Sequence, residues 1–484
     1  LGNIDAKFYF LGANSRIESV LEVLNPEGMY IGENVLIQKD SLFQIPYNNV
    51  ESKPRIVIEN GCNIGTKCTI SAANRIVIKR ECIIAANVYI SDYNHKYENI
   101  GIPIMYQGIS SFENEVVIGE GTLIANNCVI EGNVKIGRGC TIEANSLVNS
   151  DIPDYCVAVG NPAKVIKTFN FETGKWVKIK DSDELISVLK EREKAQPILS
   201  ICIPTYNRSK YLDKCLKSIF DYVGDDKNIE VVVSDNNSED NTKEIVDKYM
   251  SMYNNLKYFK NEQNIGVDRN ITEALNRGTG KFLASHGDDD YFAPLSIYKI
   301  INKLYENREC SVFYMFNRTN ASEKKNCGIN NFIKDVSFYC TFISGIILNK
   351  NDYKIIEDKY KFIHFSLNQV YLQLLILKDN KKYCVLYDYF LAQSGERKPC
   401  GYNFAEVFIN NYLEILNYFK QYGLTDNVIK DDKKRLMESM ILPWYRRIKS
   451  GEVKLDITNI DEYINKYYSD EPYFEELLTI LKSI

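Results

Sequence analysis

Asp288, Asp289 and Asp290 follow directly on the apolar run Phe282-Leu283-Ala284, through Ser285-His286-Gly287. Adjacent carboxylates at the end of a strand repel one another unless a cation or solvent compensates. A hard divalent ion with oxygen ligands, Mg²⁺ or Mn²⁺, answers that charge, and a bridging diphosphate completes its shell. A second candidate stands far upstream, in Ser91-Asp92-Tyr93-Asn94-His95-Lys96-Tyr97. His95 is one of three histidines in 484 residues. An imidazole that titrates near neutrality can take the proton from a hydroxyl as that oxygen attacks an acyl carbon. Both clusters also have plain readings, an acidic surface turn and a solvated loop histidine. What separates the alternatives is the set of elements that hold each cluster.

The elements around His95 repeat at an interval that neither helix nor strand explains. Ile118, Ile124, Ile130, Ile136, Ile142 and Val148 are six residues apart, as are Ile58, Ile64 and Ile70, and Ile78, Ile84 and Ile90. Ile31, Ile37 and Phe43 continue the series with an aromatic in third place. A helix repeats every ~3.6 residues and a strand every ~2. A chain that turns a corner after each short strand meets the spacing, and stacked coils then bury one aliphatic column per face. Glycine follows the aliphatic position at Gly32, Gly65, Gly119 and Gly137, where it is expected to permit the backbone angles of a tight corner. The repeats break between Ile90 and Ile118, and the excursion carries His95; insertions in a solenoid project from one face and carry function.

The loop Asp92-x-Asn94-His95, followed by Pro103-Ile104 and Gln107-Gly108, and the closing Gly160-Asn161-Pro162-Ala163-Lys164-Val165-Ile166-Lys167 are similar to those of the hexapeptide-repeat O-acetyltransferases. The resemblance covers about residues 8–168. It implies a left-handed parallel β-helix, acetyl-CoA as co-substrate and a trimer with each site between two subunits. It makes His95 the general base for acetyl transfer to a sugar hydroxyl, with Asp92 and Asn94 orienting the loop. Asn126 and Ala144 would meet coenzyme A, and Lys164 and Lys167 its nucleotide phosphates. Tyr93 stands where many relatives have histidine, which leaves the base in place.

After Pro197 the character changes. Ile198–Ile203 and Ile229–Ser234 predict strands, with a helical pattern over Tyr211–Tyr222 between them. This is the start of a doubly wound α/β unit, whose ligands bind at the C-terminal strand ends. The order Pro204-Thr205-Tyr206-Asn207-Arg208, then Ser234-Asp235-Asn236, then Gly266-Val267-Asp268-Arg269-Asn270, then the acidic triplet, resembles the family 2 glycosyltransferases and their GT-A fold. The match is good over 197–300 and poor beyond. It implies a nucleotide-diphospho-sugar donor near Thr205, Tyr206 and Arg208, with Asp235 on the base or ribose and Arg269 on the nucleotide or phosphates. Asp288 and Asp290 would form the Asp-x-Asp metal pair, Asp290 counted as catalytic and Asp289 in reserve. Transfer would invert the anomeric carbon. The acidic pair expected near His364–Gln369 as general base is absent; His364 and Asp358 are the substitutes on hand. Asp235 and Asn236 also fit an Asx-type turn, and His286 reads as strand-end packing.

The domains expected are 1–169 for the β-helix, 170–196 for a linker with a helix over Asp181–Lys194, 197–402 for GT-A and 403–484 for a helical extension. That count suits the length. Charged residues at 25% and hydrophobic ones at 45% are those of a globular protein. The net charge of −5 gives no reason to expect nucleic acid as partner. No apolar run reaches the length of a spanning helix, and the opening residues lack a signal segment, with Leu1 in place of Met reading as a trimmed start. Thirteen cysteines without a Cys-x-x-Cys pair point to a reducing, cytoplasmic setting with neither disulfides nor zinc; Cys62, Cys68, Cys128 and Cys140 read as small corner residues. Trp444-Tyr445-Arg446-Arg447-Ile448-Lys449 has the composition of a peripheral anchor at the inner membrane face, and equally of a core tryptophan with solvated arginines. Together the two resemblances imply a bifunctional enzyme that glycosylates and O-acetylates a sugar or lipid-linked glycan of the O-antigen or capsule kind. The alternatives are a β-helix kept only as a trimerising scaffold, or a sugar nucleotidyltransferase, whose glycine-rich opening is missing here.

Overall fold

The chain, seen as a computed structural model, is described over residues 7–46, 53–392 and 401–483. It divides into two compact units, Leu1–Ala195 and Gln196–Ile484. The reading made of the opening residues falls partly on 1–6, outside the described residues.

In the first unit the six-residue period becomes three sheets of short strands, each sheet taking every third strand in turn. All coil-to-coil pairings are parallel, so the chain winds as a three-sided coil. The aliphatic positions stack in register. Ile58 pairs with Ile31 and Ile78, and Ile118 with Ile78 and Ile136. Each of these side chains is buried. The excursion between Ser91 and Glu115 does not disturb the stack, since Ile90 pairs onward with Ile130. The cysteines sit two residues before an inward aliphatic and work as rungs. Cys62 Sγ donates to Lys79 O at 3.0 Å, Cys68 to Ala85 O at 3.0 Å and Cys140 to Pro153 O at 3.0 Å. Thr122 Oγ1 does the same to Gly137 O at 2.8 Å.

One expectation is corrected. The left-handed backbone angles fall at Gly61, Gly121 and Gly139 and at Asn87, Asn127 and Asn145, not at the glycines that follow the aliphatic position. Those glycines answer a different need. A Cβ on Gly119 would sit 2.5 Å from the backbone of Gly137 and Arg138 in the next coil, and one on Gly65 2.7 Å from Ala85 C. Backbone cannot give way as a side chain does, so Gly119→Ala is expected to cost about 1–3 kcal/mol by forcing the coils apart. Urea unfolding followed by circular dichroism measures it.

The last coil is covered. Strands Cys156–Gly160, Ala163–Asn170 and Lys175–Lys178 turn antiparallel. The helix Ser182–Lys194 then lies back on them. Asp181 caps it by accepting from Glu184 N, and Leu185 packs against the coil core. Arg192 donates to Asp154 O at 2.7 Å, Thr168 Oγ1 at 2.7 Å and Phe169 O at 2.9 Å. The helix read from sequence as part of a linker therefore sits inside the first unit.

The second unit opens with β1 (Leu199–Thr205), α1 (Ser209–Val223), β2 (Ile229–Asp235), α2 (Thr242–Met250), β3 (Leu256–Lys260), α3 (Val267–Arg277) and β4 (Phe282–Ser285). It continues with β5 (Tyr291–Phe292), α4 (Ser296–Glu306), β6 (Val312–Asn317), β7 (Lys324–Cys327), α5 (Ile329–Val336), β8 (Ile346–Asn349), α6 (Asn368–Leu377), β9 (Lys382–Asp388) and β10 (Leu391–Ala392). The main sheet has the order β3-β2-β1-β4-β8-β6-β9-β7. β1 to β4 are mutually parallel where they pair, so the ends of β1, β2 and β4 open on one edge, where Thr205 stands opposite Asp235. β1 and β2 are buried along nearly their whole length, as strands covered on both faces must be. From Phe404 the chain is helical, and these helices share one apolar core with α3, α5 and α6. Trp444 belongs to that packing, its ring 5.9 Å from Phe404, with Arg447 stacked on it at 4.9 Å and paired to Glu452. Among the described residues no helix is long and apolar enough to cross a membrane.

Candidate active sites

The loop that carries His95 is anchored at its base. Asp92 is fully buried, and its carboxylate accepts the N–H groups of Ala73, Asn74 and Arg75 at 2.7, 2.7 and 2.6 Å. Burial pushes this carboxyl above its ordinary range, and the backbone donors pull it back. Tyr93 OH meets Ser71 Oγ at 2.9 Å. Beyond this base the loop doubles on itself. Ser110 N donates to Asn94 O and Lys96 N to Gly108 O, and His95 bridges to Ile109. Asn94 Oδ1 accepts His95 N at 2.9 Å, and Gln107 Nε2 ties the tip through Asn99 O and Ile102 O. The His95 ring is left exposed, as a group that meets a second molecule must be. So are Tyr97, Ile100, Met105 and Tyr106.

Asn126 and Ala144 lie one coil apart on an exposed corner, where Asn126 Oδ1 accepts Ala86 N at 3.0 Å. Beside them Asn127 donates to Asn145 and accepts from Asn87, each at 3.1 Å, a ladder of side-chain amides. Lys164 and Lys167 are exposed on the strand Ala163–Asn170, with Lys167 opposite Lys178. The ladder is a feature sequence reasoning missed, although asparagine recurs there at eighteen-residue spacing in Asn127 and Asn145.

In the second unit the acidic turn is a network. Asp288 points inward. Thr205 Oγ1 donates to it at 2.7 Å and Arg208 Nε lies 3.3 Å away, while the Arg208 head also holds Asp289. Burial pushes the Asp288 carboxyl up to about 7, against the pull of the Arg208 guanidinium. Asp289 and Asp290 are half-buried and keep solvent access. Ser344 Oγ donates to Asp290 at 2.5 Å and accepts Gly287 N at 2.8 Å. His286 is buried, stacked on Phe292 at 4.2 Å with Nε2 at 3.0 Å from Asp290 O, and burial holds its pKa down to about 4. It packs the strand end and fixes the turn, as expected of it.

Asp235 takes the place foreseen for an Asx turn, accepting Ser238 N at 2.8 Å, and its other oxygen accepts Tyr258 OH at 2.6 Å. Tyr206 is exposed at the strand edge, and Arg269 is exposed with its head over the Tyr360 ring at 5.6 Å. Thr205, Arg208 and the triplet are thus brought together, with Asp235 level with Thr205 across the strands. Among the described residues no hydrogen bond joins His364 or Asp358 to the acidic turn. Two partners were missed, Tyr258 and Ser344; each acts across a chain separation that no local pattern encodes.

Among the described residues no group of three or more ligand-type side chains converges as a metal site. The acidic turn still fits a hard cation, since Asp289 and Asp290 each keep solvent access and each place an oxygen within 3.3 Å of where a Cβ on Gly287 would sit. An ion that takes one or two carboxylates and fills its shell from phosphates and water asks for no more.

Asp268, in the first turn of α3, is 1% exposed, and its carboxylate accepts Asn368 N at 3.1 Å where α6 begins. Burial pushes it up to about 7. Between the ordinary aspartate range and that value the folded state holds a proton the unfolded chain releases. Stability therefore falls as pH rises through this window. The melting temperature of the second unit is expected to drop by a few degrees from about pH 5.5 to about pH 8, and less in Asp268→Asn. Calorimetry at the two pH values checks it.

Residues 200–365 match the family model of glycosyl transferase family 2, and 115–150 that of the bacterial transferase hexapeptide, six repeats. Abequosyltransferase RfbV of Salmonella typhimurium is 38% identical over 101 residues, 21% of this chain and 30% of that protein. WbbJ of Escherichia coli, named as a lipopolysaccharide biosynthesis O-acetyl transferase, is 34% identical over 114 residues, 22% of this chain and 58% of its own length. The chain thus spans less than two thirds of either relative. A crystal structure of S. aureus TarS in complex with UDP aligns with a TM-score of 0.42 and 19% identity, over 55% of this chain and 78% of that one.

Proposed function

We propose, for a chain that joins a hexapeptide-repeat transferase segment to a family 2 glycosyltransferase segment, two group transfers in the building of one glycan. The second unit moves a sugar from a nucleotide-diphospho-sugar to a glycan or lipid-linked acceptor, and the first O-acetylates a sugar hydroxyl from acetyl-CoA. The observation that carries the reading is the acidic turn at the open edge of the sheet, set between Thr205, Arg208 and Ser344 inside the family 2 match.

In sugar transfer, an acceptor hydroxyl attacks the anomeric carbon from the face opposite the diphosphate. The new C–O bond forms as the bond to the diphosphate breaks, with inversion. Asp235 and Tyr206 hold the nucleoside, Arg269 draws the phosphates, and Arg208 neutralises Asp288 and Asp289. A Mg²⁺ or Mn²⁺ ion held by Asp290, with Asp288 or Asp289, would offset the charge of the departing diphosphate. In acetyl transfer, His95 takes the proton of the sugar hydroxyl as its oxygen attacks the thioester carbonyl; the C–S bond then breaks and releases coenzyme A. Asn126 and Ala144 line the coenzyme's path, and Lys164 and Lys167 meet its phosphates. The coils are read as left-handed and the assembly as a trimer. Tyr97, Ile100, Met105 and Tyr106 support the assembly, because they form an apolar arm that one chain leaves in water.

A donor screen tests the whole. Nucleotide sugars carrying UDP, GDP, dTDP or CDP are incubated with Mn²⁺ and followed by release of the diphosphate. Slow hydrolysis of one of them, abolished by chelation, is the expected result. Failure of every donor to bind or hydrolyse would overturn the glycosyl half.

A further inference from the structure

We propose that an aromatic cleft beside Asp290 seats one neutral pyranose ring of the acceptor. The cleft, about 180 Å³, is lined chiefly by Tyr314, Phe316, Tyr339, Phe342, Phe390 and Leu391. Two short connections link it to the acidic turn. Phe342 stands two residues before Ser344, whose hydroxyl holds Asp290. Asp290 runs straight into β5, which pairs with β10 so that Phe292 faces Leu391 of the cleft. Ala293 N also donates to Phe390 O at 2.8 Å.

The walls are built rather than left over. Tyr314 OH donates to Tyr339 O at 2.5 Å, and Phe316 meets Tyr314 and Tyr339 edge-on at 4.9 and 5.1 Å. Asn317 clamps the opposite wall, accepting Phe390 N and Leu391 N and donating to Leu391 O. Two rings nonetheless stay open to solvent, Tyr339 at 44% and Phe342 at 38%. Fixed, exposed aromatic faces offer an apolar surface to the C–H face of a sugar, while their edges leave its hydroxyls wet.

Size and charge select the occupant. The volume is below the ~300 Å³ of pockets for drug-sized ligands, so it takes a single ring rather than a long chain. Among the described residues no charged side chain lines it, so nothing there pairs with an anionic headgroup. The inference rests on reading this unit as a sugar transferase and adds where the acceptor lies.

Saturation-transfer NMR on the full chain, with methyl β-D-glucopyranoside and methyl β-D-galactopyranoside as probes, tests it. Saturation of the ring C–H protons of at least one glycoside is expected. Phe342→Ala and Tyr339→Ala should each weaken binding about tenfold, Phe342→Trp should retain it, and farnesyl phosphate should not displace the probe. No binding of either glycoside, binding indifferent to the alanine variants, or displacement by farnesyl phosphate would overturn the assignment. UDP with Mn²⁺ is titrated in parallel. Loss of UDP binding with the glycoside result intact would strike the donor reading and leave the cleft standing.

Discussion

His95→Ala is expected to lower acetyl transfer by ~10²–10⁴-fold while nucleotide-sugar hydrolysis continues at the wild-type rate. The loop makes this a clean substitution. The ring is exposed, and the groups that hold the loop are the Asp92 carboxylate, the backbone of Asn94 and Lys96, and the Gln107 amide. None of them depends on the imidazole. The fold of the coil should therefore survive, and coenzyme A binding with it. Thiol release from acetyl-CoA in the presence of a glycan acceptor reads the chemistry, and calorimetric titration with coenzyme A reads the binding. Wild-type acetyl transfer in the variant would remove His95 from the reaction. A wild-type chain that does not bind acetyl-CoA would leave the coil as a scaffold.

The second large effect belongs to the acidic turn, and it should be unequal between the first and the last of its carboxylates. Asp290→Asn is expected to reduce donor hydrolysis by roughly 10³-fold and to abolish tight Mn²⁺ binding, because it removes a charge that still faces solvent. Asp288→Asn should cost less. Asp288 is buried, and its oxygens already receive Thr205 and Arg208. Asparagine keeps an acceptor for the threonine hydroxyl and loses only the pairing with the guanidinium. Steady-state hydrolysis and Mn²⁺ titration of both variants decide the order. A larger loss in Asp288→Asn than in Asp290→Asn would mean that donor binding turns the inner carboxylate outward.

Much of the architecture was legible because it is periodic. Six-residue spacing has one solution, and the isoleucines from Ile31 to Ile142 stack as that solution requires. The strand-end motifs were legible because a buried run followed by polar residues marks the edge where a parallel sheet opens; Thr205 and Asp235 prove to be register partners. What escaped was set by contact at a distance. The glycines at Gly65 and Gly119 were assigned to backbone angle when the next coil's backbone was the reason. The Ser182–Lys194 helix looked like a tether because its charges dominate its composition, yet Arg192 finds one oxygen on the last coil and two on the strand that covers it. The inward turn of Asp288 depends on Arg208, eighty residues earlier, and a string of identical carboxylates carries no mark of which one faces the core.

The rungs formed by the cysteines have a consequence for how the molecule can be watched. In the first unit Cys62, Cys68, Cys82, Cys128, Cys140 and Cys156 are shut in, and in the second all the described cysteines are but Cys327. A thiol that bonds the carbonyl of the adjoining turn meets an alkylating reagent only when two turns part company. Each sulfur is thus a timer for its own storey of the winding. Mass-spectrometric mapping of iodoacetamide adducts over time would show, storey by storey, where the tower first lets water in.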